Sequence, residues 1–302
     1  MEEGRKAKED GMRALSAIDG EAWAREQHPI TGAHMIFYQA KARMARRVQK
    51  EGIDLWICYC RRGRVLCQKE NGATTCLQPG QTALMTKRAA QRPMVFPLGE
   101  YEGMELWIAT GKLNGFLDQT MGLQLPLPSL QSQTEEKQGC VVLPTCSERK
   151  TRLDALWNEG ERKRRLLELL LSVGDDLDPL PKEKAVYFTE ETVARTLSAA
   201  DRLRKNLEID LPLPQLAQET GIGLSTLKKC FKELTGETLY AHRRRYRMEW
   251  AAQQLQTGEE SIAQIARQVG YENFGKFSAA FRTCQGKLPR NYRREHRFLD
   301  KS

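Results

Sequence analysis

The hydrophobic pattern of the C-terminal third of the chain occurs twice. Apolar and glycine positions between residues 213 and 236 recur 49 or 50 residues later, between residues 262 and 286. The matched pairs are Leu213 and Ile262, Leu216 and Ile265, Ala217 and Ala266, Gly221 and Gly270, Leu227 and Phe277, Phe231 and Phe281, and Gly236 and Gly286. A repeat of this length indicates one supersecondary unit that is used twice. Each copy has the pattern of two short helices joined by a glycine turn, which is a helix-turn-helix unit.

Local signals predict the bounds of these helices. The first helix is predicted to open at Pro214, because proline has no amide to leave unpaired in a first turn. It is predicted to end at Gly221, which can adopt a positive φ, and a second helix is predicted over 224–234. The second copy is predicted to begin at the N-cap Ser261. Helical spacing over 242–255 predicts one helix that connects the two copies.

The N-terminal half has a different pattern, typical of β structure. Over residues 33–110, short apolar segments alternate with turn signals such as Asn71-Gly72. The predicted strands are 33–38, 53–60, 64–69, 74–77, 81–86 and 104–109. Many short strands at this spacing predict a small β-barrel or jelly roll.

The segments between the β-rich half and the helix-turn-helix half are predicted to form a linker and two helices. The polar, proline-containing stretch 124–150 is predicted to be a linker, and amphipathic helices are predicted over 153–173 and 189–207. The apolar stripe of the second of these helices fits either core packing or a dimer seam. The predicted fold class is α+β with several domains. They are a β-rich sensor domain over 1–123, a linker and connector helix over 124–184, and an all-α domain with two helix-turn-helix units over 185–302.

Positive charge is concentrated in the C-terminal segment. The whole chain has a net charge of +9, and residues 211–302 hold 16 Lys and Arg against 9 Asp and Glu, a net of +7. Such a field attracts phosphates independently of sequence. On an ordinary helical domain this charge would be a solvated surface. On a duplicated helix-turn-helix it favours DNA binding, in which the second helix of each unit enters a major groove.

Composition argues against a membrane or secreted protein and against a protein held by disulfides. The chain has no run of about 18 apolar residues, and its charged residues 2–10 lack the apolar core of a signal peptide. We therefore expect a cytoplasmic protein with no membrane partner. Its eight cysteines are expected to be buried free thiols rather than disulfides. A metal or redox cluster that includes Cys58 and Cys60 is the alternative, but no Cys-x-x-Cys motif or neighbouring histidine supports it.

Seven short segments together resemble a known family. They are Leu-Ala-Gln-Glu-Thr-Gly (216–221), Leu-Lys-Lys-Cys-Phe-Lys-Glu-Leu-Thr-Gly (227–236), Arg-Met-Glu-Trp-Ala (247–251), Ser-Ile-Ala-Gln-Ile-Ala (261–266), Val-Gly-Tyr (269–271), Phe-Ser-Ala-Ala-Phe (277–281) and Gly-Lys-Leu-Pro-Arg-Asn-Tyr-Arg (286–293). In this order they resemble the DNA-binding domain of the AraC/XylS transcriptional regulators. The Leu-Lys-x-x-Phe-Lys and Arg-Met-Glu segments are similar to the pyochelin-regulator-like branch of that family.

The resemblance implies which residues contact double-stranded DNA. In the first recognition helix they are Ser225, Thr226, Lys228, Lys229 and Lys232, and in the second they are Phe274, Lys276 and Ser278. Two other positions of the second helix, Gly275 and Ala279, have no side-chain donors for base hydrogen bonds. Lys276 is therefore expected to contact phosphate. RNA polymerase as a partner and a homodimer are further expectations from the resemblance.

The resemblance also implies that the N-terminal domain is a cupin-like sensor for a small molecule, and the branch similarity points to a ferric siderophore. The candidate ligand-binding residues are Trp56, Tyr59, Arg88 and Trp107, together with Phe37, Cys58, Met85 and Phe96. Plain core packing is the alternative for each of them. A regulator that needs no ligand, or that a protein partner controls, is the alternative for the whole chain.

An enzyme is not expected. Cupin catalysis uses a metal held by several histidines, and no histidine occurs between residues 35 and 241. His28 and His34 precede the turn signals of the predicted barrel. We therefore expect no catalytic residues, no metal and no cofactor.

Overall fold

The computed structural model describes residues 12–158, 160–177, 179–182, 185–205 and 212–299. The chain forms two compact units, one up to Glu190 and one from Glu191 onward. Residues of the predicted linker and connector thus belong to the first unit. Two predictions, the charged segment 2–10 and the last turn of the helix over 189–207, lie outside the described residues.

The first unit combines strands with five helices among its described residues. The strands are β1 (Arg13–Leu15), β2 (Ala17–Ile18), β3 (Glu21–Ile30), β4 (Ala33–Lys41), β5 (Met44–Ala45), β6 (Leu55–Gly63), β7 (Val65–Gln68), β8 (Thr74–Leu77), β9 (Thr82–Thr86), β10 (Met94–Val95), β11 (Tyr101–Ile108) and β12 (Cys140–Val142). The helices are α1 (Lys87–Ala90), α2 (Thr110–Met121), α3 (Leu127–Glu136), α4 (Ser147–Ala155) and α5 (Arg162–Leu177).

Seven strands form one antiparallel sheet in the order β1-β3-β4-β11-β6-β9-β12. Its central strand β11 pairs with β4 on one side and with β6 on the other. A three-stranded sheet has the order β10-β5-β2, and β7 pairs with β8. In the described part of the chain, β1 and β12 remain the edges of the large sheet. The predicted closed barrel is therefore not found, and helices cover a sheet face instead.

Side chains alternate between two cores on the two faces of the large sheet, as the period of a strand requires. On one face, Leu55, Ile57 and Tyr59 of β6 pack in a cluster that includes leucines of α2 to α5. On the other face, Trp56 and Cys58 pack in a cluster with residues of the smaller sheets. Because both faces are buried, the central strands are nearly continuously apolar in sequence.

Six predicted strands correspond to observed ones, but the sheet extends beyond them. The long strand β3 was not predicted, because its glutamates, arginine and histidine mask the apolar signal of the buried Ala22, Trp23 and Ala24. The segment 124–150 was expected to be a linker, yet it contains α3 and β12. Leu127 and Leu130 of α3 are fully buried in the helix-side core. Its prolines stand at the helix start, where they are well tolerated.

The second unit is helical where it is described. Its helices are α6 (Glu190–Lys205), α7 (Leu213–Thr220), α8 (Leu224–Thr235), α9 (Leu239–Thr257), α10 (Ile262–Gln268), α11 (Phe274–Gln285) and α12 (Pro289–Leu299). Residues of α6, α7, α8 and the start of α9 form one hydrophobic cluster, and residues of α9, α10 and α11 form a second. Ala200 and Leu203 of α6 lie in the first cluster, which supports the core-packing interpretation of its stripe. In the described residues of both units, no helix combines the length and the apolar character needed to cross a membrane.

Candidate nucleic-acid interface

The first helix-turn-helix is closed by the predicted glycine turn. Gly221 follows α7 with a φ of +66°, in the left-handed region where glycine has no steric penalty. The amide of Ile222 donates to the carbonyl of Ala217 at 3.1 Å. Arg195 of α6 donates to the carbonyls of Thr220 and Gly221 at 3.2 and 3.1 Å. The angle between α7 and α8 is thus set by backbone conformation and by a side chain from a third helix.

Helix α8 has one buried face and one exposed face. Leu227, Cys230, Phe231 and Leu234 are fully buried. At about 100° per residue, Ser225, Lys228, Lys229 and Lys232 fall on the opposite side of the helix within a stripe about 100° wide. All four are exposed, and Thr226 is exposed beside them. The α8 stripe, as we call Ser225, Lys228, Lys229 and Lys232, is a basic surface on a rigid helix.

The second helix-turn-helix is built with stronger caps. Ser261 and Gln264 form a reciprocal capping box at the start of α10, as the N-cap prediction expected. Gly270 makes the turn with a φ of +76°. Asn273 caps α11 by accepting a hydrogen bond from the amide of Lys276 at 2.9 Å. By contrast, Gly223 at the start of α8 provides no side-chain cap.

Helix α11 turns Phe277 and Phe281 into the core and exposes its other side. Lys276 is exposed and Ser278 is half-buried. The ring of Phe274 is 52% exposed, and its centroid lies 6.3 Å from that of Phe277. Phe274 therefore packs against the core edge while part of its ring remains accessible.

Sequence reasoning missed one charged residue of α11. Arg282 is exposed and follows Ala279 by three residues, so it lies on the outward side with Gly275 and Ala279. The position of Arg282, five residues after the buried Phe277, already places it on the other side of the helix in the sequence. Arg282 supplies the long donor that Gly275 and Ala279 lack.

Helix α9 joins the two helix-turn-helix units through their hydrophobic clusters. Leu239 at its start packs in the cluster of the first helix-turn-helix. Met248, Ala251 and Leu255 pack in the cluster of the second helix-turn-helix. Each recognition helix therefore rests on the same 19-residue helix. This arrangement fixes the orientation of α8 relative to α11 within the compact unit.

Arg245 of α9 forms two ion pairs within the second unit. Arg245 donates to Glu237 and to Glu249, each at 2.8 Å. Burial opposes ionisation of Glu237, but hydrogen bonds from Arg245 and His242 outweigh it, so the pKa of this carboxyl lies below its ordinary value. Arg245 therefore stabilises the start of α9. The lysines of the α8 stripe have no such acidic partner among the described residues.

Comparison with known proteins identifies this arrangement. A family model described as a helix-turn-helix domain matches residues 216–295. An AraC-like transcription regulator of Streptomyces lividans is 37% identical over 79 residues, which are 26% of this chain and 26% of that protein. The multiple antibiotic resistance protein MarA of Escherichia coli is 30% identical over 107 residues, which are 34% of this chain and 84% of MarA. The chain belongs to the AraC/XylS family of transcriptional regulators.

One solved structure among those similar to this chain is a separate domain. The C-terminal domain of AraT, a response regulator of Geobacillus stearothermophilus, is 30% identical with a TM-score of 0.33. The match covers 33% of this chain and 84% of that domain. The AraC/XylS resemblance stated from the sequence is confirmed for the helix-turn-helix half, and the pyochelin-regulator-like branch is not established by these relatives.

The structure does not bring the four predicted ligand-binding residues of this AraC/XylS regulator together. Trp56 and Trp107 are cross-strand neighbours, with ring centroids 6.4 Å apart. Tyr59 is on the opposite face of the sheet, because it is an odd number of residues from Trp56, and it donates to Asp154 at 2.8 Å. The Arg88 side chain is 81% exposed and lies 3.3 Å from Glu70.

A buried ion pair lies beside the two tryptophans instead. Glu105 of β11 is buried and paired with the buried Arg47. Its other carboxylate oxygen accepts hydrogen bonds from Trp107 Nε1 at 2.9 Å and from the Tyr38 hydroxyl at 3.3 Å. Burial opposes the charge of Arg47, but Glu105 outweighs it and raises the pKa of the guanidinium. This pair was not predicted, because a lone glutamate in an apolar strand and a distant arginine carry no local signal.

The cysteines of the first unit behave as buried thiols. Cys58, Cys60, Cys67, Cys76 and Cys140 are buried, Cys146 is half-buried, and none of them forms a disulfide. Burial and the nearby Glu105 raise the pKa of Cys58 well above its ordinary value. A neutral buried thiol is a poor nucleophile and a poor metal ligand. The burial of five of these thiols agrees with the free-thiol interpretation.

Proposed function

We propose that this protein is a sequence-specific regulator of transcription that binds double-stranded DNA through α8 and α11. The observation that carries the proposal is the pair of helix-turn-helix units packed on one helix, α9. A shared helix holds both recognition helices in one geometry, so two major grooves can be read by a single compact unit. Family membership supports the same function.

The two recognition helices are proposed to have unequal roles. Lys228 and Lys229 on the α8 stripe present donors suited to the O6 and N7 atoms of guanine, with Ser225, Thr226 and Lys232 beside them. On α11, Lys276 and Ser278 are proposed to contact phosphate, because Gly275 and Ala279 have no side-chain donors. Phe274 is proposed to contact a thymine methyl with the exposed part of its ring.

Footprinting tests the DNA-binding proposal. The binding site is first obtained by selection from random duplexes with the full chain. Methylation of guanine N7 by dimethyl sulfate should then be blocked in two major-groove segments whose centres lie about 10 base pairs apart. Protection confined to a single half-turn of DNA would contradict the use of both helices. Loss of one protected segment on Lys228→Ala and Lys229→Ala together would assign that segment to α8.

We further propose that a small molecule bound by the first unit controls DNA binding. A ligand can do so only if it binds the DNA-competent and the incompetent states differently. Trp56 and Trp107, beside the buried pair of Glu105 and Arg47, offer aromatic surface and charge for recognition. The branch resemblance makes ferric siderophores the first compounds to screen. RNA polymerase as a partner and a homodimer belong to the same proposal.

An experiment with a fragment of the chain separates DNA binding from the response to a small molecule. The fragment 185–302 keeps all of the second compact unit, whereas a cut after residue 150 would leave Leu166, Leu169 and Leu170 of α5 without the core they pack in. The fragment should bind the selected site and not respond to an effector found with the full chain. A folded fragment without sequence preference would contradict the modular proposal. A fragment that still responds would place the sensor in the second unit.

A regulator that needs no small molecule is the second candidate. Two observations favour it: the predicted ligand residues lie on different faces of the sheet, and Trp56 and Trp107 are buried in the core. Thermal-shift screening of the full chain distinguishes the two candidates. Stabilisation by a compound, together with a change in DNA affinity, supports small-molecule control. Full-strength regulation in the absence of any compound supports the second candidate.

A further inference from the structure

Three potential metal ligands meet where β3 turns into β4. Glu26 and His28 are two residues apart on β3, so they share one face of the strand. Glu26 pairs across the ladder with Ile36, and His34 stands two residues before Ile36 on β4. A register shift between Gln27 and Ile30 interrupts the ladder at His28. The hairpin thus places Glu26, His28 and His34, which we call the hairpin cluster, on one side of the sheet.

The ligand atoms of the hairpin cluster converge. The Nδ1 atoms of His28 and His34 are in contact. The Nε2 atom of His28 lies 3.4 Å from Glu26 Oε1, and Nδ1 of His34 lies 3.9 Å from the same oxygen. One ligand atom from each residue lies within 4.8 Å of the others. The two imidazoles and the carboxylate are therefore clustered closely enough to bind one ion.

A positive charge already lies at this point. The Lys50 ammonium is 3.0 Å from Glu26 Oε1 and 3.2 Å from His34 Nδ1. The lone pairs of the cluster are thus directed toward a cation. Lys50 is itself partly exposed and sits on a long flexible side chain, so it can leave when another cation arrives.

We propose that the hairpin cluster binds a divalent first-row transition metal ion, of which Zn²⁺ is the reference. Neutral imidazole nitrogen and carboxylate oxygen are ligands of Zn²⁺ and its neighbours, and three protein ligands leave a position for water. The side chains of His34 and Glu26 are 19% and 25% exposed, and that of His28 is 53% exposed. Two ligands are therefore held by the sheet, while the third borders solvent and admits the ion.

The metal displaces Lys50 from the cluster. The ammonium and the ion compete for Glu26 and His34, so the site exchanges one cation for another. This inference concerns the first unit alone and does not depend on the proposed DNA binding. Its failure would leave the footprinting result unchanged.

The test uses the full chain without a histidine tag, after treatment with EDTA and removal of the chelator. Calorimetric titration with Zn²⁺ should show one site per chain. Titration with Co²⁺ should give the visible spectrum of a nitrogen and oxygen site. A strong thiolate-to-cobalt band would place the ion on the cysteines and overturn the proposal, as would the absence of Zn²⁺ binding.

Variants identify the ligands. Loss of an outer-shell partner already weakens metal affinity by about 10–100-fold, so His28→Ala and His34→Ala should each weaken Zn²⁺ binding at least as much. Glu26→Gln should also weaken it. The matched control is His296→Ala, which removes a histidine outside the cluster and should bind Zn²⁺ like the unmodified chain. Circular dichroism confirms that each variant is folded.

Lys50→Met tests the displacement. Without the competing ammonium, Zn²⁺ should bind up to about fivefold more tightly, the equivalent of one partly exposed ion pair. Weaker binding by Lys50→Met would contradict the position assigned to the ion. Unchanged Zn²⁺ affinity in a folded His28→Ala, His34→Ala double variant would overturn the site itself.

Discussion

Lys228→Ala and Lys276→Ala should have different effects on DNA binding, although each removes one exposed positive charge from a recognition helix. Lys228 lies on the α8 stripe, the exposed side of a helix whose other side buries Phe231 and Leu234. Lys276 lies in the first turn of α11, where its amide is held by Asn273. The first variant should change base preference, and the second should weaken binding to all sequences alike.

The expected magnitudes differ as well. Loss of a good base contact costs about 1–3 kcal/mol, or about 5- to 150-fold in affinity for the selected site, with little effect on other sequences. A phosphate contact instead contributes a slope of about −0.9 to the dependence of log K on log salt concentration. Between 50 and 200 mM salt, this slope corresponds to a factor of about 3.5. The affinity ratio of the unmodified chain to Lys276→Ala should fall by about that factor over this range.

Fluorescence anisotropy on the selected duplex and on single-base variants measures both effects. The control is Lys163→Ala, which changes the net charge equally but lies on α5, in the first unit. It should leave base preference and salt slope nearly unchanged. Equal loss of base preference from Lys228→Ala and Lys276→Ala would refute the assignment of unequal roles. An effect of Lys163→Ala as large as theirs would show that net charge, rather than the recognition helices, carries the binding.

Three further predictions concern stability. Glu105→Ala should lower the free energy of unfolding of the first unit by about 3–5 kcal/mol, because Arg47 is left as a buried charge without its carboxylate. Calorimetry measures this loss. A loss below about 1 kcal/mol would contradict the prediction. Phe231→Ala should destabilise the second unit by about 3–5 kcal/mol by opening a cavity, seen as faster hydrogen exchange in α8 with no change in β11. The lowered pKa of Glu237 should stabilise the fold above its ordinary pKa near 4.5, and this contribution should be lost as the pH falls through the lowered value. The stability difference between the unmodified chain and Glu237→Gln should therefore shrink as the pH falls from 5 toward 3. A constant difference over this range would contradict it.

The sequence alone determined the helical unit to a large extent. Both glycine turns, at Gly221 and Gly270, lie where the repeat predicts them, and both have positive φ. Helix α8 was predicted to within one residue, because its buried face and its glycine end are encoded locally. The connecting helix is longer than predicted by three residues before His242 and two after Leu255, since Thr238 caps it and no apolar spacing marks its ends.

The N-terminal unit depended on tertiary structure. The sequence indicated short strands but not their order in the sheet, because several other strands and a helix separate β11 in sequence from its partners β4 and β6. Local composition also misled the prediction of 124–150, where Pro126 and Pro128 begin a helix that packs against the sheet.

The chemistry of that unit was decided by the same pairing. Glu105 and Arg47 are 58 residues apart and meet only in the folded core. His28 and His34 were not expected to form a site because they precede the turn signals of the predicted barrel, yet the β3–β4 hairpin brings them into contact. Helical patterns are local because each turn is hydrogen-bonded within itself, whereas a sheet joins residues that are distant in sequence. The sequence therefore determined the surface proposed to read DNA, and only the tertiary structure decided which charged and metal-ligating side chains meet.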